Sequence, residues 1–172
     1  DCIDLYLLHW RGQHPLEETV EGFERLREQG KIKRWGVSNF DVDDLRELHN
    51  PDCATNQVLY NPAQRGIEFD LLPWCEKRGL PTMAYCPLAQ AGRLLQHPVL
   101  AEIAERHGAT PAQVSLAWVT RDDGVIAIPK AVAPEHVRLN AAAGALTLTG
   151  EDLRAIDRAF PAPTRKQRLA MV

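Results

Sequence analysis

The sequence has 172 residues, of which 45% are hydrophobic and 25% charged, and its formal net charge is −3. This composition is typical of a globular chain with one hydrophobic core and excludes a disordered or fibrous protein. The net charge, and the absence of a face rich in lysine and arginine, exclude nucleic acid and anionic membranes as partners.

The first residues contain neither an initiator methionine nor a basic leader, and no apolar run approaches the ~20 residues that span a bilayer. We therefore expect the sequence to begin inside a fold and the protein to be cytoplasmic. The cysteines form no C-x-x-C pair and have no histidine at zinc-ligand spacing, which predicts free thiols without a disulfide or a metal site. These cysteines are Cys2, Cys53, Cys75 and Cys86.

Short apolar segments that end abruptly in polar residues are predicted to be buried strands. They cover residues 3–9, 33–39, 56–60, 82–85 and 125–128. Apolar spacing, prolines and capping residues predict helices between and after them. These helices cover residues 15–30, 41–48, 69–78, 99–107, 111–121, 134–143 and 151–160, with a longer loop at 87–96.

Strands and helices that alternate every roughly 25 to 30 residues predict an α/β fold with a parallel sheet of right-handed βαβ units. A closed (β/α)8 TIM barrel needs eight strands and about 250 residues. The fold class expected here is that barrel, represented by its last five βα units (strands 4–8 of eight). Residues 1–172 then form the C-terminal part of a single domain, and the first three βα units are absent.

Each predicted strand ends in residues that a core would not favour. They are His9 with Trp10, Ser38 with Asn39, Gln57 with Tyr60 and Asn61, Tyr85 with Cys86, and Pro129 with Lys130. Ligands of parallel α/β folds bind at the carboxyl ends of the strands, so we predict that these residues line one site. Taken singly, each has a structural explanation as well: a helix cap, a hydrogen-bonded buried histidine, a core aromatic residue or a surface lysine.

The segment after the last strand predicts an anion site. Lys130 is followed by Pro134, Glu135 and His136, which mark the start of a helix with unpaired backbone N–H groups. A helix N-terminus and a nearby cation both favour an anion, and barrels commonly bind phosphate at this junction. The pattern therefore indicates a phosphorylated cofactor.

Several segments resemble the aldo-keto reductase family in order and spacing, over essentially the whole chain. They are residues 4–10, 36–40, 56–58 with 60–62, 84–88 and 128–130. Within the family, the sequence is most similar to small bacterial reductases of the diketogulonate and methylglyoxal type. The resemblance implies the NADPH-dependent reduction of a small aldehyde or ketone to an alcohol by hydride transfer.

The resemblance also implies roles for individual residues. His9 orients the substrate carbonyl and is the one member of the family's catalytic set that maps onto this sequence. The Asp, Tyr and Lys of that set lie on preceding segments, so the chain alone is expected to be inactive. Trp10 lines the substrate pocket, and residues 164–172 are the other pocket or lid candidates.

The same resemblance implies a cofactor site. Ser38, Asn39 and Gln57 hydrogen-bond the nicotinamide carboxamide, and Tyr85 stacks on the ring. The remaining contacts are Cys86 and Leu88 at the pyrophosphate, Lys130 and His136 at the 2′-phosphate, and Asn140 near the adenine.

Three positions depart from the residues usual in the family. Cys86 stands where serine is usual, which replaces a hydroxyl contact by a thiol. His136 stands where arginine often binds the 2′-phosphate, and Leu139 replaces a frequent glutamate near the adenine. These departures predict weaker cofactor contacts at these three points.

Two other interpretations stay open. The chain fits a non-catalytic subunit that binds a nicotinamide cofactor, and it also fits a barrel aldolase in which Lys130 forms a Schiff base after the last strand. Turnover of a carbonyl substrate distinguishes a reductase from the cofactor-binding subunit. Borohydride trapping of a carbonyl ligand on Lys130 tests the second.

Overall fold

The structure is a computed structural model that describes residues 1–172. Five strands form one sheet in which every neighbouring pair is parallel and the spatial order is the chain order. They are β1 (Ile3–Leu8), β2 (Ile32–Ser38), β3 (Cys53–Leu59), β4 (Thr82–Tyr85) and β5 (Val125–Ala127). The predicted parallel α/β fold is confirmed, because this sequential order is that of a (β/α)8 barrel.

The predicted helices are all present. They are α1 (Leu16–Glu28), α2 (Val42–Leu48), α3 (Leu71–Glu76), α4 (Pro98–His107), α5 (Pro111–Val119), α6 (Pro134–Ala142) and α7 (Gly150–Ala159). None of them is both long and apolar enough to cross a membrane. Short 3-10 turns at Gly66–Glu68, Ala89–Ala91, Arg93–Gln96 and Ala143–Ala145 complete the connections.

Two predicted elements differ most from the structure in their bounds. The helix expected at residues 69–78 is shorter at both ends. At its start, the non-helical φ of −145° at Asp70 separates α3 from the preceding 3-10 turn. The strand expected from residue 56 begins at Cys53, which pairs with Trp35 of β2 across a register shift. Pairing with a neighbouring strand, which local sequence does not specify, thus extends β3.

The core lies between the sheet and the helices, with buried residues from α1, α4, α5 and α7 among others. Trp35 is fully buried, stacks on Phe23 of α1 at 5.3 Å and donates its indole N–H to Glu24 (2.7 Å). The next residue, Gly36, has no room for a side chain, since a Cβ would lie 2.7 Å from the backbone oxygen of Thr55. This close approach packs β2 tightly against β3.

The two outer strands leave apolar side chains in solvent. On β1, Ile3 and Tyr6 are 51% and 44% exposed. Ile126 on β5 and Ile128 just after it are 49% and 37% exposed. β1 pairs only with β2, and β5 only with β4. The sheet is therefore open on both sides, whereas a closed barrel has no unpaired strand.

The cysteines are all free. Burial raises the pKa of the Cys53 and Cys75 thiols to about 11. These two side chains therefore stay protonated and act as small apolar groups of the core.

A carboxylate between two helices makes the stability of the fold depend on pH. Asp152 of α7 is 1% exposed and accepts a hydrogen bond from Arg106 of α4 (2.5 Å). It also bonds to His107 (2.8 Å) and to the backbone N–H of Thr149 (2.8 Å). Burial raises the pKa of this carboxyl, but the hydrogen bonds from Arg106, His107 and Thr149 outweigh it and hold the pKa well below its usual range.

We predict that Asp152 contributes to acid unfolding. Since its pKa is lower in the folded than in the unfolded state, its stabilisation is complete above the unfolded pKa of about 4 and is lost as the pH falls towards the folded pKa. Asp152→Asn should lower the free energy of unfolding at pH 7 by about 2 to 3 kcal/mol and flatten its decline below roughly pH 5. Urea denaturation at a series of pH values measures both effects.

The exposed Asp123 provides the control. Asp123→Asn should change stability by less than about 0.5 kcal/mol at any pH. If Asp152→Asn kept the wild-type pH dependence, the proposed role of Asp152 would be wrong.

Candidate functional site

The carboxyl ends of four strands meet at one residue. Asn39 directly follows β2, and its Nδ2 donates to the backbone oxygen of His9 after β1 (3.1 Å) and to the Ser38 hydroxyl (3.3 Å). Its Oδ1 accepts from the Tyr85 hydroxyl at the end of β4 (2.9 Å). Its backbone N–H donates to the oxygen of Gln57 on β3 (2.9 Å). Four of the polar strand ends predicted from sequence are therefore brought together.

The backbone of Asn39 is left-handed, with φ of 61°. Asparagine tolerates this conformation because its short amide hydrogen-bonds locally. The Ser38 hydroxyl is buried and donates to the Gln57 oxygen (2.8 Å), so the turn that follows β2 is held against β3 from two sides. Gln57 itself is half-buried.

A second amide, that of Asn56, supports the turn after β2. Asn56 is 1% exposed, donates through Nδ2 to the backbone oxygen of Phe40 (2.8 Å) and accepts from its N–H (3.4 Å). Sequence reasoning missed this role. The available signal was a polar residue at an inward position of a strand, between the buried Thr55 and Val58.

His9 and Trp10 lie at the rim of this cluster. Their rings stack with centroids 4.0 Å apart and an interplanar angle of 14°. Both residues are exposed, Trp10 to 48%. The next residue, Arg11, pairs with Glu47 and Asp44 of α2, which ties the loop after β1 to the helix that follows Asn39.

A cavity of about 390 Å³ opens beside this cluster, between the ends of β4 and β5. Its lining includes three of the predicted cofactor residues, Cys86, Leu88 and Lys130. The loop after β4 is unusual in having positive φ at several residues other than glycine, at Cys86, Ala89, Gln90 and Ala91. Such conformations persist only where surrounding contacts impose them.

Two buried polar side chains impose this loop conformation. Asn61, after β3, donates to the Cys86 backbone oxygen (3.0 Å), and Ser115 of α5 donates to the Pro87 oxygen (2.9 Å). Asn61 was predicted to line the site, but it is buried and supports the loop after β4 through its hydrogen bond to Cys86. Ser115 was not predicted, because a small polar residue within a helix gives no local sign of a distant partner.

The start of α6, like those of α1 and α3, has no side-chain cap. Asp41, Thr110 and Thr149 form capping boxes at α2, α5 and α7, whereas Ala133 offers no side-chain cap to α6. The first N–H groups of α6 therefore have no side-chain acceptor, which leaves them available to an anion. His136 lies in this first turn and is exposed, as is Lys130.

Asn140 lies further along α6 and lines a separate cavity of about 390 Å³. Pro129 lines both this cavity and the one that contains Lys130, so the two adjoin. The structure thus places Asn140 near the other predicted cofactor residues but not in the same cavity.

One predicted site residue is wrong. Tyr60 is fully buried, and its hydroxyl donates to Glu68 (2.7 Å) and accepts from Arg121 (3.0 Å). Arg65, 8% exposed, joins Glu68 to Asp157 of α7. Tyr60 therefore belongs to a buried charged cluster that fastens α7 to the sheet, and it does not face the strand-end cluster.

Tyr85 stays protonated in this environment. Burial raises the pKa of its hydroxyl. A protonated hydroxyl can donate to Asn39, as observed.

The arrangement has a neutral end and an end with unpaired backbone N–H groups and exposed basic side chains. Amides and hydroxyls gather around Asn39, and the uncapped N-terminus of α6 lies after the loop that contains Lys130. Such a site can bind an extended ligand with an amide at one end and phosphate at the other. No group of three or more histidine, cysteine or acidic side chains is placed to hold a metal ion.

We predict that Asn39 contributes both its conformation and its amide. Asn39→Gly keeps the left-handed conformation but loses the hydrogen bonds, which should cost about 1 to 2 kcal/mol. Asn39→Ala loses both and should be less stable than the glycine variant by a further ~1 kcal/mol. Urea denaturation of the two variants measures the difference.

His49 is the control, since it is exposed and left-handed (φ 37°, ψ 44°) at the end of α2. His49→Gly should be at least as stable as wild type, because the glycine substitution relieves the backbone and removes no buried contact. Equal stability of wild type and Asn39→Gly would show that the amide hydrogen bonds contribute nothing.

Comparison with known proteins identifies the family. The family model described as Aldo/keto reductase family matches residues 1–160. Methylglyoxal reductase YeaE of Escherichia coli (strain K12) is 53% identical over 180 residues, which cover 100% of this chain and 63% of the relative. Glyoxal reductase of Bacillus subtilis (strain 168) is 38% identical over 160 residues, which cover 91% and 56%.

Comparison with solved structures gives the same family. An aldo-keto reductase from Klebsiella pneumoniae in complex with NADPH is 56% identical, with a TM-score of 0.98 over 100% of this chain and 63% of that one. The thermostable aldo-keto reductase Tm1743 in complex with the inhibitor epalrestat is 38% identical, with a TM-score of 0.82 over 92% and 60%. This chain thus spans less than two thirds of the length of these relatives. It belongs to the aldo/keto reductase family.

Proposed function

We propose that this chain forms the last five βα units of an NADPH-dependent reductase of aldehydes and ketones. The observation that supports this most is the cluster around Asn39, where residues from four strand ends share hydrogen bonds. The family membership and the NADPH complex of the Klebsiella relative agree with it.

Three further βα units would complete the barrel. The open sheet leaves apolar side chains of β1 and β5 in water, and the relatives are longer than this chain. Exposed strand edges of this kind favour pairing with more strands. We propose that the units which cover them precede residue 1 in the intact reductase.

The neutral end of the site suits a nicotinamide. Ser38, Asn39 and Gln57 together offer hydroxyl and amide groups for a carboxamide, and Tyr85 offers an aromatic face. Because the Tyr85 hydroxyl occupies Oδ1 of Asn39, this oxygen becomes available to a ligand when the tyrosine turns away. We propose that Tyr85 exchanges this hydrogen bond for stacking on the ring.

The end of the site near Lys130 and the start of α6 suits the phosphates of the cofactor. Cys86 and Leu88 line the cavity into which the pyrophosphate would fit, and Lys130 lines the same cavity. The uncapped N–H groups of α6, with His136 in the same turn, would face the 2′-phosphate. Asn140, in the adjoining cavity, would contact the adenine.

In this proposal NADPH supplies the hydride that reduces the carbonyl carbon. His9 donates a hydrogen bond to the carbonyl oxygen and so orients it, and Trp10 forms an apolar wall beside it. The residue that protonates the oxygen comes from the preceding units. The exposed position of Lys130 does not favour the aldolase alternative, since Schiff-base lysines are normally activated by burial.

We predict that turnover requires the preceding units. NADPH oxidation should be measured with methylglyoxal and with benzaldehyde, in the 172-residue chain and in the gene product extended upstream. Activity is expected only in the extended protein, because loss of a general acid costs about 10²- to 10⁴-fold. Turnover by the short chain would refute the proposed source of the proton, and NADPH binding without turnover by the extended protein would indicate a cofactor-binding subunit.

A second prediction concerns the choice of cofactor. Lys130→Met in the extended protein should weaken NADPH binding about tenfold or more and leave NADH binding unchanged, because the lysine pairs with the 2′-phosphate that only NADPH has. Titration of protein fluorescence with each cofactor gives both dissociation constants.

Lys77→Met, which removes an exposed lysine beside α3, is the control and should change neither constant. Equal losses for NADPH and NADH in Lys130→Met would place Lys130 away from the 2′-phosphate.

A further inference from the structure

A cavity of about 610 Å³ lies at the opposite end of the strands from the candidate site. This space, the α2–α3 cavity, is lined by residues from the end of α2, the start of β3, the end of α3 and the loop before β4. Cys53, the first residue of β3, is one of them, whereas Asn39 bonds to Gln57 near the other end of that strand. The volume is typical of pockets that bind small molecules, which measure about 300 to 1,000 Å³.

The charged side chains that line the α2–α3 cavity are all basic. Arg46, His49 and Arg78 are exposed at its wall, and no aspartate or glutamate is among its lining residues. Arg46 pairs with Asp43 of its own helix (3.0 Å), whereas Arg78 pairs with no carboxylate of the chain. The cavity therefore favours an anion, and a carboxylate matches the planar fork of N–H groups that an arginine presents.

The indole of Trp74 forms another part of the wall. The guanidinium carbon of Arg78 lies 3.8 Å from the centroid of this ring, a cation–π contact that uses none of the N–H groups of the arginine as hydrogen-bond donors. Nε1 of Trp74 is buried and has no hydrogen-bond acceptor, which is rare for a buried donor in a folded protein. Two neighbouring side chains of this wall thus lack an acceptor that the chain itself provides.

The rest of the lining is largely apolar. Leu45 is 4% exposed, and Leu48, Trp74 and Leu80 are half-buried and pack against the hydrophobic core. All four side chains line the α2–α3 cavity. Because an aromatic ring loses its contact with water on such a surface, the lining favours a ligand with a flat apolar body over a small hydrated anion.

The position of the α2–α3 cavity keeps it away from the edges of the sheet. Further βα units would join at β1 and β5, the strands with one neighbour, whereas α2 and α3 follow the inner strands β2 and β3. Along β3, at ~3.3 Å per residue, the cavity lies about 20 Å from the polar strand ends. A ligand in this cavity and a cofactor at the candidate site therefore do not compete for space.

We propose that the α2–α3 cavity is a binding site for a small aromatic carboxylate. The carboxylate pairs with Arg78, with Arg46 as the second cation, and brings an acceptor to the wall that contains Trp74. The aromatic ring of the ligand lies against the leucines. This site is separate from the proposed reductase site, and its occupancy does not depend on turnover.

The test is a titration of the isotope-labelled extended protein with 2-naphthoate, followed by NMR through the indole N–H signals. The signal of Trp74, assigned by its absence in Trp74→Phe, reports on the α2–α3 cavity, and the signal of Trp10 reports on the candidate site. We expect a saturable shift of the Trp74 signal with or without NADPH. A shift of the Trp10 signal alone, or of neither signal, would overturn the proposal.

Arg78→Met is the test variant, and Lys77→Met removes the same charge from the neighbouring exposed residue as the control. Arg78→Met should weaken the binding of 2-naphthoate at Trp74 about tenfold or more, because it removes a charge-assisted pair. Lys77→Met should stay within about twofold of wild type, and Arg78→Lys, which retains the charge without the fork, should lie between them. An unchanged dissociation constant in Arg78→Met would overturn the proposal.

Two further ligands test the chemical class. 2-Naphthamide has the same ring without the charge and should bind about tenfold more weakly or less, and acetate, which lacks the ring, should cause no saturable shift at the same concentrations. Equal binding of 2-naphthamide or of acetate would overturn the assignment to an aromatic carboxylate. The indole signals of the buried Trp35 and Trp118 show whether each variant is folded, so that unfolding is not mistaken for lost binding.

Discussion

The hydrogen bonds of Asn39 determine the shape of the strand-end cluster. A single amide accepts from the end of β4 and donates to the segment after β1, while the backbone N–H of the same residue bonds to β3. These contacts require a left-handed residue at a place where β2 must turn into α2. Any change in the spacing of the four strands would break one of them.

That spacing is set inside the sheet. The close contact of Gly36 with Thr55 fixes the distance between β2 and β3, and the amide of Asn56 fixes the turn that carries Phe40. Buried polar groups of this kind are satisfied in one arrangement only, which rigidifies the site they support. The loop after β4 is held in the same manner by Asn61 and Ser115. The polar rim of the sheet is therefore built on a layer of buried hydrogen bonds.

Much of the fold was predictable, because its signals are local. Short apolar runs, prolines and capping residues give the strands and helices, and the alternation gives the parallel order. Long-range contacts were not predictable from these patterns. From its position in the sequence, Tyr60 was predicted to line the site, but its hydroxyl bonds to Glu68 and Arg121. Lys166 bonds to Asp41, which lies 125 residues before it. The sequence around a lysine does not predict an ion pair with so distant a residue.

The roles assigned to the individual cofactor residues stay predictions. We propose that NADPH extends from the amide cluster at Asn39 to Lys130 and the uncapped start of α6. The most direct test is a crystal structure of the extended protein with NADPH. We predict that the carboxamide lies within hydrogen-bonding distance of Ser38 and Asn39, and the 2′-phosphate beside Lys130 and His136. A cofactor bound elsewhere, or with its two ends reversed, would contradict it.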